Sequence, residues 1–199
     1  MKAVVINAGP KRRDHNAQLA KSSLKGAEST GAEVEYVDLY SLDLCGCMNC
    51  TICKKEEKVG KCYWKDEVSP LIERILDADC LLITVPIFFT EPTSHYRALI
   101  ERLVYCIVSY KTGNTFKGKI NVGLFYTLNY SVEYFEKSVR PNLKSSEGLL
   151  EMFNGEVQIH SFRSITKRES EESDELDEKE KLFSADLDKV FEISAELCK

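Results

Sequence analysis

Four cysteines, Cys47, Cys50, Cys53 and Cys62, hold the densest chemistry in this sequence. The spacing Cys-x-x-Cys-x-x-Cys can turn three thiolates toward one centre, with Cys62 as a fourth ligand. Four thiolates suit a [4Fe-4S] cube or a tetrahedral zinc ion. Reduced thiols that shape a loop or an intersubunit contact are a third reading. Cys45 is a spare in the same stretch. Cys80 and Cys106 lie in apolar segments and read as small core residues, and Cys198 reads as inert.

Three further segments place polar, basic or aromatic groups directly after apolar runs. The first is Ala8-Gly9-Pro10-Lys11-Arg12-Arg13-Asp14-His15-Asn16-Ala17. It leads into a helical pattern, so backbone N–H groups and a positive dipole end add to three basic side chains to make an anion site. Gly9 allows close backbone approach, and His15 reads as a surface or capping residue. An ordinary basic loop is the bland alternative. The second segment is Pro86-Ile87-Phe88-Phe89-Thr90-Glu91-Pro92-Thr93-Ser94. Two phenylalanines just past a strand suit a flat aromatic ligand, or else belong to the core; Thr93 can cap the next helix. The third, Tyr126-Thr127-Leu128-Asn129-Tyr130, is weak alone.

The elements that must position these groups follow from periodicity. Short β-branched or continuous apolar runs at 3–7, 34–37, 80–85, 120–126 and 157–159 read as strands. Helical spacing occupies 17–24, 68–79, 93–105, 131–153 (broken near Pro141) and 185–197. Strands alternating with helices define a single doubly wound α/β domain over residues 1–199. Right-handed crossovers make a flavodoxin-like parallel sheet of order 2-1-3-4-5 the expected topology. A cysteine-rich loop, 45–66, follows the second strand. In such sheets ligands sit at the C-terminal strand edge near the switch point, which selects the three segments above.

Charge and composition exclude several classes. The 199 residues are 43% hydrophobic and 30% charged, ordinary for a globular chain. The net charge of −5 argues against a nucleic-acid binder. All of it resides in residues 168–181, with eight acidic and three basic residues, which read as a solvated acidic insertion or a dock for a basic partner. The longest apolar stretch, 80–89, is about half a membrane span, and the N-terminal charge order is wrong for export. The expectation is a cytoplasmic protein with reduced cysteines.

These segments together resemble the flavodoxin-like NAD(P)H-dependent FMN reductases, a family that includes the iron-sulfur flavoproteins. The family's Gly-Ser-Pro-Arg-…-Asn-Thr corresponds to Gly9-Pro10-Lys11-…-Asn16-Ala17. Its cysteine triplet, further cysteine and acidic pair correspond to Cys47, Cys50, Cys53, Cys62 and Asp66-Glu67. Its Ser-Pro-Ile-Tyr-(Trp/Phe) and helix-borne Asp-Arg correspond to Val85-Pro86-Ile87-Phe88-Phe89 and Glu101-Arg102. The resemblance implies FMN, with phosphate on Gly9, Pro10, Lys11, Arg12, Asn16 and Ala17. The flavin ring would lie near Pro86, Ile87, Phe88, Phe89 and Thr90, and its pyrimidine edge near Tyr126, Thr127, Leu128 and Asn129. It implies NAD(P)H as co-substrate, a quinone, flavin, other small molecule or protein as acceptor, no catalytic side chain, and a homodimer or larger.

The departures weaken that correspondence in specific places. Gly9, Lys11 and Ala17 replace a hydroxyl, a bidentate guanidinium and a second hydroxyl. Phe88 replaces a tyrosine, and eight residues between Cys53 and Cys62 exceed the compact cluster spacing. The alternatives are therefore an iron-sulfur electron carrier, a zinc-stabilised binding module, or a flavin-dependent sensor whose acidic segment meets a partner.

Overall fold

The buried strands are short apolar runs whose alternate side chains serve two cores. A computed structural model describes residues 1–164 and 173–199. Five parallel strands, β1 (Lys2–Asn7), β2 (Glu33–Asp38), β3 (Cys80–Phe88), β4 (Ile120–Leu128) and β5 (Asn154–Arg163), form a sheet of order β2-β1-β3-β4-β5. The expected order is therefore observed. Val4, Ile6, Leu81 and Ile83 face a core closed by helices α2 (Val68–Leu76) and α3 (Ser94–Ile107) and by the segment after β4. Ala3, Val5, Cys80 and Leu82 face a second core under α1 (His15–Glu28) and the last helix. Both faces are covered, as parallel strands require.

The segment after β4 departs from the expected helix broken at Pro141. A single turn at Val132–Tyr134 runs into a π-helix at Phe135–Val139, and then into α4 (Arg140–Glu147) and a 3₁₀ stretch at Gly148–Phe153. Pro141 sits in the first turn of α4, where a missing N–H costs nothing. The irregularity precedes it, in the π-helix.

The last helix, α5 (Ser173–Leu197), is longer than its apolar spacing indicates. Of the acidic segment 168–181, residues 168–172 lie outside the described residues. From Ser173 onward the backbone is helical, so this part is the start of α5 and not an insertion ahead of it. Glu and Lys favour helix without any apolar stripe, which hydrophobic periodicity cannot register.

Helix α5 packs directly on α1. Ser23 and Ser194 share a hydroxyl hydrogen bond of 2.8 Å, and Ser22 donates to the Leu187 carbonyl at 2.7 Å. A Cβ on Gly26 would stand 2.3 Å from the Phe191 carbonyl oxygen, so the two backbones approach as closely as only glycine permits. His15 is buried between these helices, its ring 4.8 Å from Phe183 edge-on, and is not the surface residue expected. Burial pushes its pKa down to about 4, with Asp14 opposing. Gly26→Ala is expected to overpack this contact and cost about 1–3 kcal/mol in a urea unfolding titration; an unchanged midpoint would refute the close approach.

Candidate functional site

Buried side-chain amides hold the three loops together at the C-terminal edge of the sheet. Asn7, the last residue of β1, is fully buried. Its Oδ1 accepts from the Gly9 N–H at 3.0 Å and from Asn16 Nδ2 at 2.7 Å. Its Nδ2 donates to the Lys11 carbonyl at 3.1 Å and to Asp38 at 2.9 Å. Asn16 Nδ2 also reaches the Thr84 hydroxyl (3.1 Å), while its Oδ1 accepts from the Thr127 hydroxyl at 3.1 Å. One side chain on α1 thereby touches the end of β1, the middle of β3 and the penultimate residue of β4. Thr93 adds a fourth tie, donating to the Ala8 carbonyl at 2.8 Å. Its hydroxyl is thus spent on the first loop and does not cap α3, as its position suggests. Gly9 is required here, because a Cβ would come within 2.8 Å of Asn16 Nδ2.

The first loop closes over this network with its basic groups outward. Lys11, Arg12 and Arg13 are exposed and, with Asp14, line an open depression of about 570 Å³. Asp14 caps α1, accepting from the Ala17 N–H at 3.0 Å. The chain's own carboxylate therefore occupies part of the helix-end field that favours anions. Asn16 and Ala17 are buried, so their side chains position the loop and do not line its surface.

The second loop is a tight hairpin with a strained tip. Phe88 pairs with Glu91 and Ile87 with Pro92, leaving Phe89 and Thr90 as the two central residues. Both have positive φ, 50° and 74°. Two-residue turns of this kind favour Asn-Gly; a bulky aromatic followed by a β-branched residue stores strain of order 1–3 kcal/mol per residue. Phe89 is 100% exposed and Phe88 43%, which settles against the reading that both rings are core. Pro86 and Ile87 are buried. In the third loop Tyr126, Thr127 and Leu128 are buried and Asn129 is exposed. Tyr126 and Leu128 face the core and present no side chain at the edge.

The cysteine-bearing stretch packs beside α3 through one buried ion pair. Arg102, 2% exposed, makes a two-pronged contact with Asp66 at 2.5 and 3.0 Å. The same guanidinium donates to the Cys45 carbonyl (3.3 Å), Ser69 Oγ (2.9 Å) and Cys62 Sγ (3.3 Å). Asp66 also accepts from the Val68 and Ser69 N–H groups at the start of α2. Burial raises its pKa, but Arg102 and these N–H donors outweigh this and hold it below the usual carboxylate range. Lys54 lies 3.6 Å over the Tyr105 ring and donates to the Val108 carbonyl, closing the end of α3.

Cys47, Cys50, Cys53 and Cys62 all line one small cavity with Trp64, Arg102 and Tyr105. Burial raises the Cys53 thiol. At Cys62 burial also opposes ionisation, but the Trp64 N–H, Arg102 and Ser69 more than offset it and favour the thiolate. The cavity measures about 20 Å³, room for about one water. Among the described residues no group of three or more His, Cys, Asp or Glu converges to hold a metal. The donor chemistry suits a thiophilic metal, but a cavity of this size would have to open to admit a [4Fe-4S] cube.

Asn7 and Thr84 escaped the sequence reading. Their signal was present: a polar residue inside or ending an apolar strand needs a buried partner.

The sequence pattern of the NADPH-dependent FMN reductases matches residues 1–161, and the chain belongs to that family. Among curated relatives, an iron-sulfur flavoprotein of Methanocaldococcus jannaschii is 25% identical over 123 residues, 62% of each chain. One of Archaeoglobus fulgidus is 27% identical over 119 residues, 60% of this chain and 51% of its own. These matches span about half to three-fifths of the relatives' lengths. The NAD(P)H:quinone oxidoreductase from Methanothermobacter marburgensis superposes with a TM-score of 0.73 at 15% identity, covering 99% of this chain and 96% of that one. That likeness shows the flavodoxin-like α/β fold.

Two measurements test the site's internal ties. Arg102→Ala leaves the half-buried Asp66 carboxylate with only its backbone N–H donors, so a loss of about 2–3 kcal/mol is expected on urea unfolding. Because the folded-state pKa of Asp66 is depressed, its contribution is present above the ordinary carboxyl pKa of about 3.9 and is lost as the pH falls through the lower folded value. Asp66→Asn should therefore flatten the acid limb of the stability profile in that window; an identical acid limb would contradict the pairing.

Proposed function

We propose that the chain is an FMN-dependent NAD(P)H oxidoreductase passing electrons to a quinone, flavin, other small acceptor or protein. The observation that carries this reading is the set of three loops tied together by Asn16 at one strand edge. An exposed aromatic pair on a strained turn stands beside a basic loop there. Family membership supports the cofactor. Residues 1–199 act as one domain in this reading, working in the cytoplasm as a homodimer or larger. Among the described residues no helix is long and apolar enough to cross a membrane.

The basic and aromatic side chains suit FMN in charge and chemistry. Lys11, Arg12 and Arg13 would hold the phosphate, with Gly9 letting the backbone come close. Asp14 at the helix cap opposes that charge, and the missing hydroxyls at Gly9 and Ala17 remove two donors, so retention rests on the basic side chains. Phe88, Phe89 and Thr90 would lie against the ring, and Asn129 would meet its pyrimidine edge. The chemistry a bound flavin supplies is acceptance of a hydride from the nicotinamide and release of electrons to the acceptor. The protein's part is to keep the ring flat, shield one face with the Phe88–Thr90 turn and leave the other open.

A second reading, an iron-sulfur electron carrier, is favoured by the four cysteines lining one cavity and by the names of the curated relatives. It requires that cavity to open. Anaerobic purification with iron, zinc and flavin counts separates the cases: flavin without metal supports the oxidoreductase, iron at cluster stoichiometry the carrier, and zinc without flavin a binding module.

Two outcomes follow for the aromatic turn. Phe88→Asp is expected to weaken FMN binding at least tenfold in a fluorescence-quenching titration, and unchanged affinity would remove the turn from the site. Replacing Phe89 and Thr90 by Asn and Gly should relieve most of the positive-φ strain and gain about 2 kcal/mol of stability while lowering FMN affinity. A loss of stability would show that the turn is not strained.

A further inference from the structure

Cys80 and Cys198 lie 118 positions apart in sequence, yet their sulfurs are 2.8 Å apart. That is well inside the roughly 3.5–4.0 Å of ordinary nonbonded contact between heavy atoms. Nothing stands between them. Cys80 opens β3, and Cys198 directly follows the last residue of α5. Both belong to the core beneath α1 and α5 and are 0% and 2% exposed. Their positions are held independently of each other. Asn121 Nδ2 donates to the Leu197 carbonyl at 2.9 Å, and the Cys198 N–H reaches the Ser194 carbonyl at 3.2 Å. Cys80 is fixed by the β3 pairing with β1 and β4. The remaining buried thiols, Cys53 and Cys106, belong to the core on the opposite face of the sheet.

We infer that Cys80 and Cys198 form a peroxide-responsive dithiol that closes to a disulfide, latching α5 to the start of β3. One thiolate attacks the peroxide, giving a sulfenic acid and water. The second thiol then displaces the sulfenic oxygen as a second water, forming the S–S bond. Overall, two thiols and one hydrogen peroxide give one disulfide and two waters. Either sulfur can be the attacking thiolate, since the hydrogen bond from its partner thiol stabilises whichever ionises. Burial of both sulfurs selects a small oxidant over glutathione disulfide, and the intervening sheet keeps Cys53 and Cys106 from intercepting the intermediate. The cross-link would constrain a long unfolded-state loop and so stabilise α5 against opening.

The test oxidises the reduced, folded, full-length chain with hydrogen peroxide and maps its peptides without reduction. The expected result is a Cys80–Cys198 linked peptide about 2 Da lighter than its two thiol parts. It should be accompanied by a rise in Tm on the order of 10 °C that dithiothreitol reverses. Cys198→Ser and Cys198→Ala, treated identically, should show neither change, and both leave the strand position intact. Absence of the linked peptide, an equal Tm rise in either variant, or a glutathione mixed disulfide at Cys198 under glutathione disulfide would each overturn the assignment.

Discussion

The full hydrogen bonding of one buried amide, that of Asn16, is the constraint on which the candidate site depends. An amide in this environment costs about 1–3 kcal/mol for each polar group left unpaired. Its satisfied geometry leaves little freedom: Nδ2 must meet Asn7 and Thr84 while Oδ1 meets Thr127. Those partners sit at the end of β1, midway along β3 and near the end of β4, so the loops that follow share one fixed frame. Only on such a frame does the Phe89–Thr90 turn hold its unfavourable dihedrals, because the strands on either side determine where its ends must be. The exposed rings and the basic loop are therefore presented by a rigid base.

The cysteine stretch is governed by a different interaction, the Arg102–Asp66 pair. It fixes the stretch at its Cys45 and Cys62 ends, while the centre, with positive φ at Asn49 and Thr51, runs through two short 3₁₀ turns at Ile52–Lys54 and Glu56–Lys58. The guanidinium gives Cys62 a polar setting that its neighbours lack. A firmly anchored rim around a closed cavity keeps the thiols near one another without committing them to a ligand. Arg102 acts here through position and charge, and belongs to the scaffold of the stretch.

Much of the fold was legible because the three central strands are apolar runs and the two edge strands alternate apolar with polar residues, and the switch-point rule then located the three loops. The residues that make the loops cohere were less visible. Asn16 reads through the family resemblance as a phosphate contact, whereas its side chain turns inward, and Thr93 serves Ala8 in place of its own helix. Both cases turn on which partner lies across the sheet edge, a fact that local spacing does not contain. The fates of Tyr126 and Leu128 depend on strand facing at the last turn of β4, where one residue decides between core and rim. The start of α5 went unread because its helix formers carry no apolar stripe, and the Cys80–Cys198 contact because it joins distant segments.

The central claim, that the three loops form one flavin-binding surface, is tested most directly by peptide-level hydrogen–deuterium exchange with and without FMN. The account requires slowed exchange in residues 9–14, 86–91 and 127–131 together, with the N-terminal ends of the same strands unchanged. Protection confined to the cysteine stretch, or none in the Phe88–Thr90 turn, would contradict it.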